Sequence, residues 1–213
     1  MKNTVVVFAR VPRLGTVKRR LARDIGNRAA LRFHVATLLG LLRSLRADRT
    51  FRTVLAVTPD RTHAGLPWPT ACAPQGFGDI GQRMNHACRR FPRGNVLIVG
   101  CDIPAANASD ARSAFKALGR ADAVFGPAED GGYWLVGMGP RRPARPFANA
   151  RWSSEHALAD TLDNFAGRKI AHIRTLSDVD TAADYAALIC PDLLKPRTTS
   201  APAHSSADPA NRR

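Results

Sequence analysis

Asp102 is the residue with the clearest claim to chemistry. It follows the apolar run Val96-Leu97-Ile98-Val99 and Gly100, and Pro104 stops the chain from continuing as a strand. A carboxylate at the carboxyl end of a buried strand stands where open α/β sheets bind their ligands. In a chain this rich in Lys and Arg, the chemistry that fits is a divalent cation, Mg2+ or Mn2+, holding a phosphorylated ligand. The plainer alternative is a strand-to-loop turn whose Asp caps the next segment.

Four further segments offer matching groups. In FARVPRLGTVKRRL, residues 8–21, an apolar strand opens into a glycine loop and then a helix with cations in its first turn. Helix starts present free N–H groups and a favourable dipole to phosphate, and Arg and Lys add charge-assisted hydrogen bonds. Arg10, Gly15, Lys18 and Arg20 are the candidate phosphate ligands, whereas Arg19 and Arg23 read better as a solvated helix face. The spacing of a Walker A loop is absent. In QGFGDIGQRM, residues 75–84, Gly76 and Gly78 permit close backbone approach, Asp79 can cap a helix and Arg83 can point at a nucleotide. Taken alone, that stretch reads better as a plain turn.

GPAEDGGYWLVG, residues 126–137, places Glu129, Asp130, Gly131 and Gly132 in a tight acidic turn, with Tyr133 and Trp134 behind it. Asp-Gly suffices for a hairpin. The second acid and the aromatics suit a pocket for an acceptor molecule, with carboxylates as hydrogen-bond acceptors and rings as walls. In SDVDTAADY, residues 177–185, Thr181 has the position of an N-cap and Asp184 lies in the first turn behind it. Asp180 remains as a second carboxylate for Mg2+, which is typically held by one or two carboxylates plus phosphate oxygens.

These groups must be held by elements legible in the apolar pattern. Strands are expected at 3–9, 51–58, 95–101, 122–126 and 133–138, with an extended piece at 169–174. Helices are expected at 18–25, 27–47, 79–91, 109–118 with Ser109 as its cap, 154–165 and 181–189. The segment 59–78 reads as a Pro- and Gly-rich connection with room for a short strand, and 140–146 as a loop. Alternating strands and helices imply right-handed crossovers and a mostly parallel sheet covered on both faces. The expectation is therefore an α/β fold in a single domain over residues 1–194, followed by a disordered tail over 195–213 that lacks apolar bulk.

Bulk properties narrow the partners. No apolar run approaches the length of a membrane span, and the start reads as a core strand rather than a signal peptide. The cysteines Cys72, Cys88, Cys101 and Cys190 show no zinc-ligand spacing, so free thiols in a cytoplasmic protein are expected. The net charge of +15 is concentrated in residues 1–60, where 13 Lys or Arg stand against Asp24, Asp48 and Asp60. That excess suits an anionic partner. Nucleic acid is the poorer choice, because no zinc finger or aromatic RNA-binding motif accompanies it.

FARVPRLGTVKRRL, QGFGDIGQRM, GCDIP, GPAEDGGYWLVG, RWSS and DVDTAAD, in this order, resemble the bacterial DUF2064 proteins, also called radical-SAM/selenodomain-associated or arsenosugar-biosynthesis glycosyltransferases. The resemblance spans residues 4–190, with departures at Arg13, Cys101 and Ile103. It implies the GT-A-like fold of nucleotide-diphospho-sugar transferases and a likeness to the guanylyltransferases of molybdenum-cofactor and coenzyme-F420 synthesis. It further implies metal ligation by Asp102 and Asp180, phosphate contacts from Arg10, Lys18 and Arg20, a nucleotide near residues 76–83, and an acceptor near Glu129–Tyr133. Catalytic duty then falls to Lys18, Arg10 and Asp102. The expected reaction is nucleotidyl transfer from a nucleoside triphosphate to a small phosphorylated acceptor. The alternative is glycosyl transfer from a nucleotide sugar, and a homodimer is the candidate assembly.

Overall fold

The computed structural model describes residues 3–60 and 70–189. Its centre is a seven-stranded sheet in the order β3-β2-β1-β4-β6-β5-β7. The strands are β1 (Asn3–Arg10), β2 (Phe51–Thr58), β3 (Ala71–Pro74), β4 (Val96–Gly100), β5 (Ala123–Pro127), β6 (Tyr133–Met138) and β7 (Ile170–His172). β1 pairs in parallel with β2 and β4, β2 with β3, and β5 with β7, while β6 runs antiparallel between β4 and β5. The expected α/β architecture with a mostly parallel sheet is thus present. β3 lies within the segment expected to be a connection with a short strand.

The two-residue period of β1 sorts its side chains between two cores. Val5, Val7 and Ala9 join Leu38, Leu42 and Leu45 of α2 (Asn27–Ala47), together with Ala111 and Ala114 of α4 (Ala108–Leu118). Val6 and Phe8 face the other way, toward Met84, Ala87 and Cys88 of α3 (Ile80–Arg89). Both faces are covered, which is why β1 and β4 read as nearly continuous apolar runs. α1 (Arg19–Ile25), α5 (Ala157–Asp163) and α6 (Ala182–Ile189) complete the described helices.

Helix starts follow local chemistry. Asp79 caps α3 in a reciprocal box with Gln82, as the sequence suggests. The cap of α4 is Asn107 and not Ser109: Asn107 accepts from Ser109 N–H, and Asp110 at N3 reaches back to the Asn107 N–H. Asn107 adopts an extended backbone that suits a cap, so the helix begins one residue earlier than the apolar pattern implies. Thr181 and Asp184 bond each other's backbone N–H groups ahead of α6, leaving the Asp180 carboxylate free to point elsewhere. The expected tail, 195–213, and Cys190 lie outside the described residues.

Candidate active site

Strand order reverses between β1 and β4, since β2 follows β1 on one side and β4 joins it on the other. Loops leaving the carboxyl ends of these two strands must diverge there and open a crevice. A cavity of about 450 Å3 fills it, lined by Arg10 from the end of β1, by Lys18, Arg19 and Arg20, by Arg83 of α3, and by Asp102 and Asp180. Cations surround the cavity and two carboxylates converge on one point within it.

That point is occupied by the Lys18 ammonium. Nζ lies 2.8 Å from Asp180 Oδ1 and 3.1 Å from Asp102 Oδ1, and the Lys18 side chain is 4% exposed. Lys18 is the N-cap of α1 and adopts a left-handed backbone, φ 46° and ψ 47°, uncommon for a residue with a Cβ. Local preference does not place it there, so the surrounding contacts must hold it. Burial works to lower the Lys18 pKa, but Asp102 and Asp180 outweigh it and the net shift is upward, so the ammonium stays charged. Burial likewise works to raise the Asp102 carboxyl, yet His34 and Lys18 outweigh that and hold it at about 2.

His34 lies outside the sequence motifs that mark the site. Its ring is 3% exposed, Nε2 bonds the Arg10 carbonyl at 3.1 Å, and Nδ1 approaches Asp102 Oδ1 at 3.6 Å. Nδ1 has no hydrogen-bond partner among the described residues. A signal did exist: His34 is the polar member of the buried stripe Ala30, His34, Leu38 on α2. Gln75 is a second buried polar residue at this site. Buried under the cleft, it donates to the carbonyls of Ala9 and Ala56, tying the ends of β1 and β2 to the loop that follows β3.

Two donor sets could hold a metal. His34, Cys101 and Asp102 bring ligand atoms within 4.8 Å of one another. Burial, with Asp102 adding to it, pushes the Cys101 thiol well up, and a protonated thiol is a poor ligand. Asp102 and Asp180 instead offer hard oxygens that already share one cation, are 46% and 40% exposed, and face the cleft. They fit Mg2+ or Mn2+.

The other anticipated residues divide. Arg20 reaches toward Asp180, 3.9 Å away, from an exposed position. Arg83 lines the cleft and donates to the Gly78 carbonyl at 2.9 Å. Gly15, Gly76 and Gly78 adopt positive φ and shape the loops without lining the cavity. The Gly76 N–H is taken by Asp60, and the Asp79 carboxylate is spent on its own helix cap.

A second cavity, of about 250 Å3, adjoins the first across Asp102 and Ile80. Asp130, Gly132, Tyr133 and Trp134 line it, as the acidic turn suggests, together with Trp152 and Asp178, which were not anticipated. Burial, followed by the charges of Asp180 and Asp130, pushes the Asp178 carboxyl upward. Glu129 faces a separate groove beside Leu176 and Asp184. Gly131, with φ +82°, packs against the Glu155 backbone so closely that a Cβ would overlap it. Gly81 similarly lets α3 come up against Trp152.

A profile of the family described as an uncharacterized protein conserved in bacteria (DUF2064) matches residues 41–154. No curated protein matches the chain. Among solved structures, the chain is similar to a candidate nucleotide-diphospho-sugar transferase from Desulfovibrio desulfuricans G20, with 26% identity and a TM-score of 0.81 over 94% of this chain and 90% of that one. It is also similar in fold to 4-diphosphocytidyl-2C-methyl-D-erythritol synthase from Anaerococcus prevotii DSM 20548, at 9% identity and a TM-score of 0.57, covering 86% of this chain and 94% of that one. A third likeness is to Rv0371c of Mycobacterium tuberculosis H37Rv in complex with manganese, at 16% identity and a TM-score of 0.55, covering 88% and 98%. No helix among the described residues is long and apolar enough to cross a membrane.

Proposed function

We propose that this chain, which belongs to the DUF2064 family, is a metal-dependent transferase acting on a nucleotide-activated donor, with a nucleoside triphosphate as the donor and pyrophosphate as the leaving group. The observation that carries this reading is the Lys18 ammonium shared by Asp102 and Asp180 on the floor of a cation-lined cleft at the β1/β4 switch point. Two carboxylates that converge on one cation, inside a cavity that Arg10, Arg19, Arg20 and Arg83 also line, suit a metal–polyphosphate complex.

Asp102 and Asp180 would hold Mg2+ or Mn2+, which supplies charge neutralisation at the transferred phosphate. Lys18 keeps the two carboxylates converged and charged. Arg10, Arg20 and Arg83 bind the phosphate chain and stabilise the charge that develops as pyrophosphate leaves. His34 packs behind Asp102, its Nδ1 3.6 Å from Oδ1, on a ring anchored at the Arg10 carbonyl. The chain thus contributes placement and electrostatics rather than a covalent intermediate. The D. desulfuricans relative lends support to the second reading, a nucleotide-sugar donor on the same cleft.

Calorimetric titration with nucleoside triphosphates and nucleotide sugars, each with and without Mn2+, tests both readings. The expected result is metal-dependent binding of a triphosphate that Asp102→Asn abolishes while the variant stays folded. Pyrophosphate as product supports nucleotidyl transfer, and a nucleoside diphosphate supports glycosyl transfer. Binding of neither donor class would overturn the proposal.

A further inference from the structure

The second cavity has a charge opposite to that of the chain. In a protein with 32 Lys and Arg, its walls carry Asp102, Asp130 and Asp178 and, among the described residues, no Lys, Arg or His. The nearby cations are committed elsewhere. Arg151 is paired with Asp160, Arg174 with Asp110, and Lys18 stands on the far side of Asp102 with its charge shared by two carboxylates. The remaining walls are apolar and aromatic: Met84, Ile103, Tyr133, Trp134 and Trp152.

Such walls reject a phosphate. A dianion entering here would meet three carboxylates with no cation on the walls to offset them. Carboxylates beside aromatic rings instead suit hydroxyl groups on a carbon skeleton. The carboxylates accept O–H hydrogen bonds, and the rings cover the C–H face. Asp102 forms the boundary with the cation-lined cleft, so a molecule in this cavity presents its hydroxyl beside the donor site.

We infer that the acceptor enters this cavity as a neutral hydroxyl-bearing compound, a polyol or sugar without a phosphate, contrary to the phosphorylated acceptor expected from the sequence. The inference rests on the transferase reading for the word acceptor, while the selectivity of the cavity is a property of its walls. In the reaction the acceptor oxygen forms the bond to the α-phosphorus of the donor as the α–β phosphoanhydride bond breaks, the hydroxyl proton leaves to solvent or a wall carboxylate, and pyrophosphate departs on the cleft side.

The test uses matched pairs at millimolar concentration without nucleotide: myo-inositol, methyl glucoside and glycerol against their phosphomonoesters. The readout is the Trp152 indole N–H resonance, assigned with Trp152→Phe. The expected result is that a neutral member shifts this resonance and binds about tenfold or more tightly than its phosphomonoester, since specificity here comes from repulsion. Asp130→Asn combined with Asp178→Asn should narrow that gap. Tighter binding of the phosphomonoesters, or no shift from any neutral member, would overturn the inference. The donor titration above is read separately: its failure alone removes the transferase reading and leaves the selectivity measurement standing.

Discussion

Replacing Lys18 by Met removes the ammonium and keeps the aliphatic stem, so it isolates the charge that joins Asp102 to Asp180. Two charge-assisted bonds are lost, at 3.1 and 2.8 Å. Hydrogen bonds to charged groups contribute about 1.5–3 kcal/mol each. The carboxylates are 46% and 40% exposed, so solvent screening brings each bond nearer to ~1 kcal/mol, and the pair to about 2 kcal/mol. Lys18→Gly loses the same bonds and relaxes the left-handed backbone, which recovers about 1 kcal/mol, but it also deletes a stem that is 4% exposed, at about 0.8 kcal/mol per buried CH2. The Gly variant should therefore be the less stable of the two in urea denaturation at neutral pH. The pH dependence has a definite sign. The folded Asp102 carboxyl sits at about 2 against an ordinary 3.8, so its stabilisation is full above that ordinary value and is lost as pH falls through the folded one. Without Lys18 the folded value rises, the gap narrows, and the loss of stability on acidification becomes shallower. The Met variant should also bind Mn2+ more tightly in the absence of nucleotide, read by electron paramagnetic resonance, because the competing internal cation is gone. Stability within about 0.5 kcal/mol of wild type and an unchanged acid profile would refute the bridge.

Two further outcomes test the scaffold around the site. Arg174→Ala should destabilise the fold by about 2 kcal/mol in urea, because Asp110, whose side chain is 9% exposed, loses both of its guanidinium bonds and keeps only the helix-cap N–H. Adding Asp110→Asn should recover part of that loss. Gly131→Ala should cost about 1–3 kcal/mol in thermal or urea unfolding and shift the Trp152 indole resonance, since the residue holds φ +82° and its Cβ would press on the Glu155 backbone beside the second cavity.

Much of this protein follows from local pattern. The apolar runs of β1 and β4 announce strands buried on both faces, and the alternation of Val5 and Val7 with Val6 and Phe8 assigns the two cores without further information. Gly100 and Pro104 bracket Asp102 at a strand end, so its place at the ligand-binding edge of the sheet was readable from one segment. The cap chemistry of Asp79 and Thr181 is equally local, a matter of hydrogen bonds within a few residues. Partnership across the fold is a different kind of fact. Lys18 and Asp180 stand 162 positions apart, and only the docking of the segment before α6 against the start of α1 makes one ammonium serve two carboxylates. His34 sits on a helix face that periodicity marks as core, and it gains a polar role because α2 happens to pass beneath the β4 carboxyl end. The division of charge between the two cavities is tertiary as well. The amino-terminal cations gather on one side of Asp102, while Asp130 and Asp178 come from separate loops to the other. Short-range sterics and solvation act between neighbours in sequence and leave a mark there, whereas a Coulomb field depends on distances in space that the order of residues does not contain.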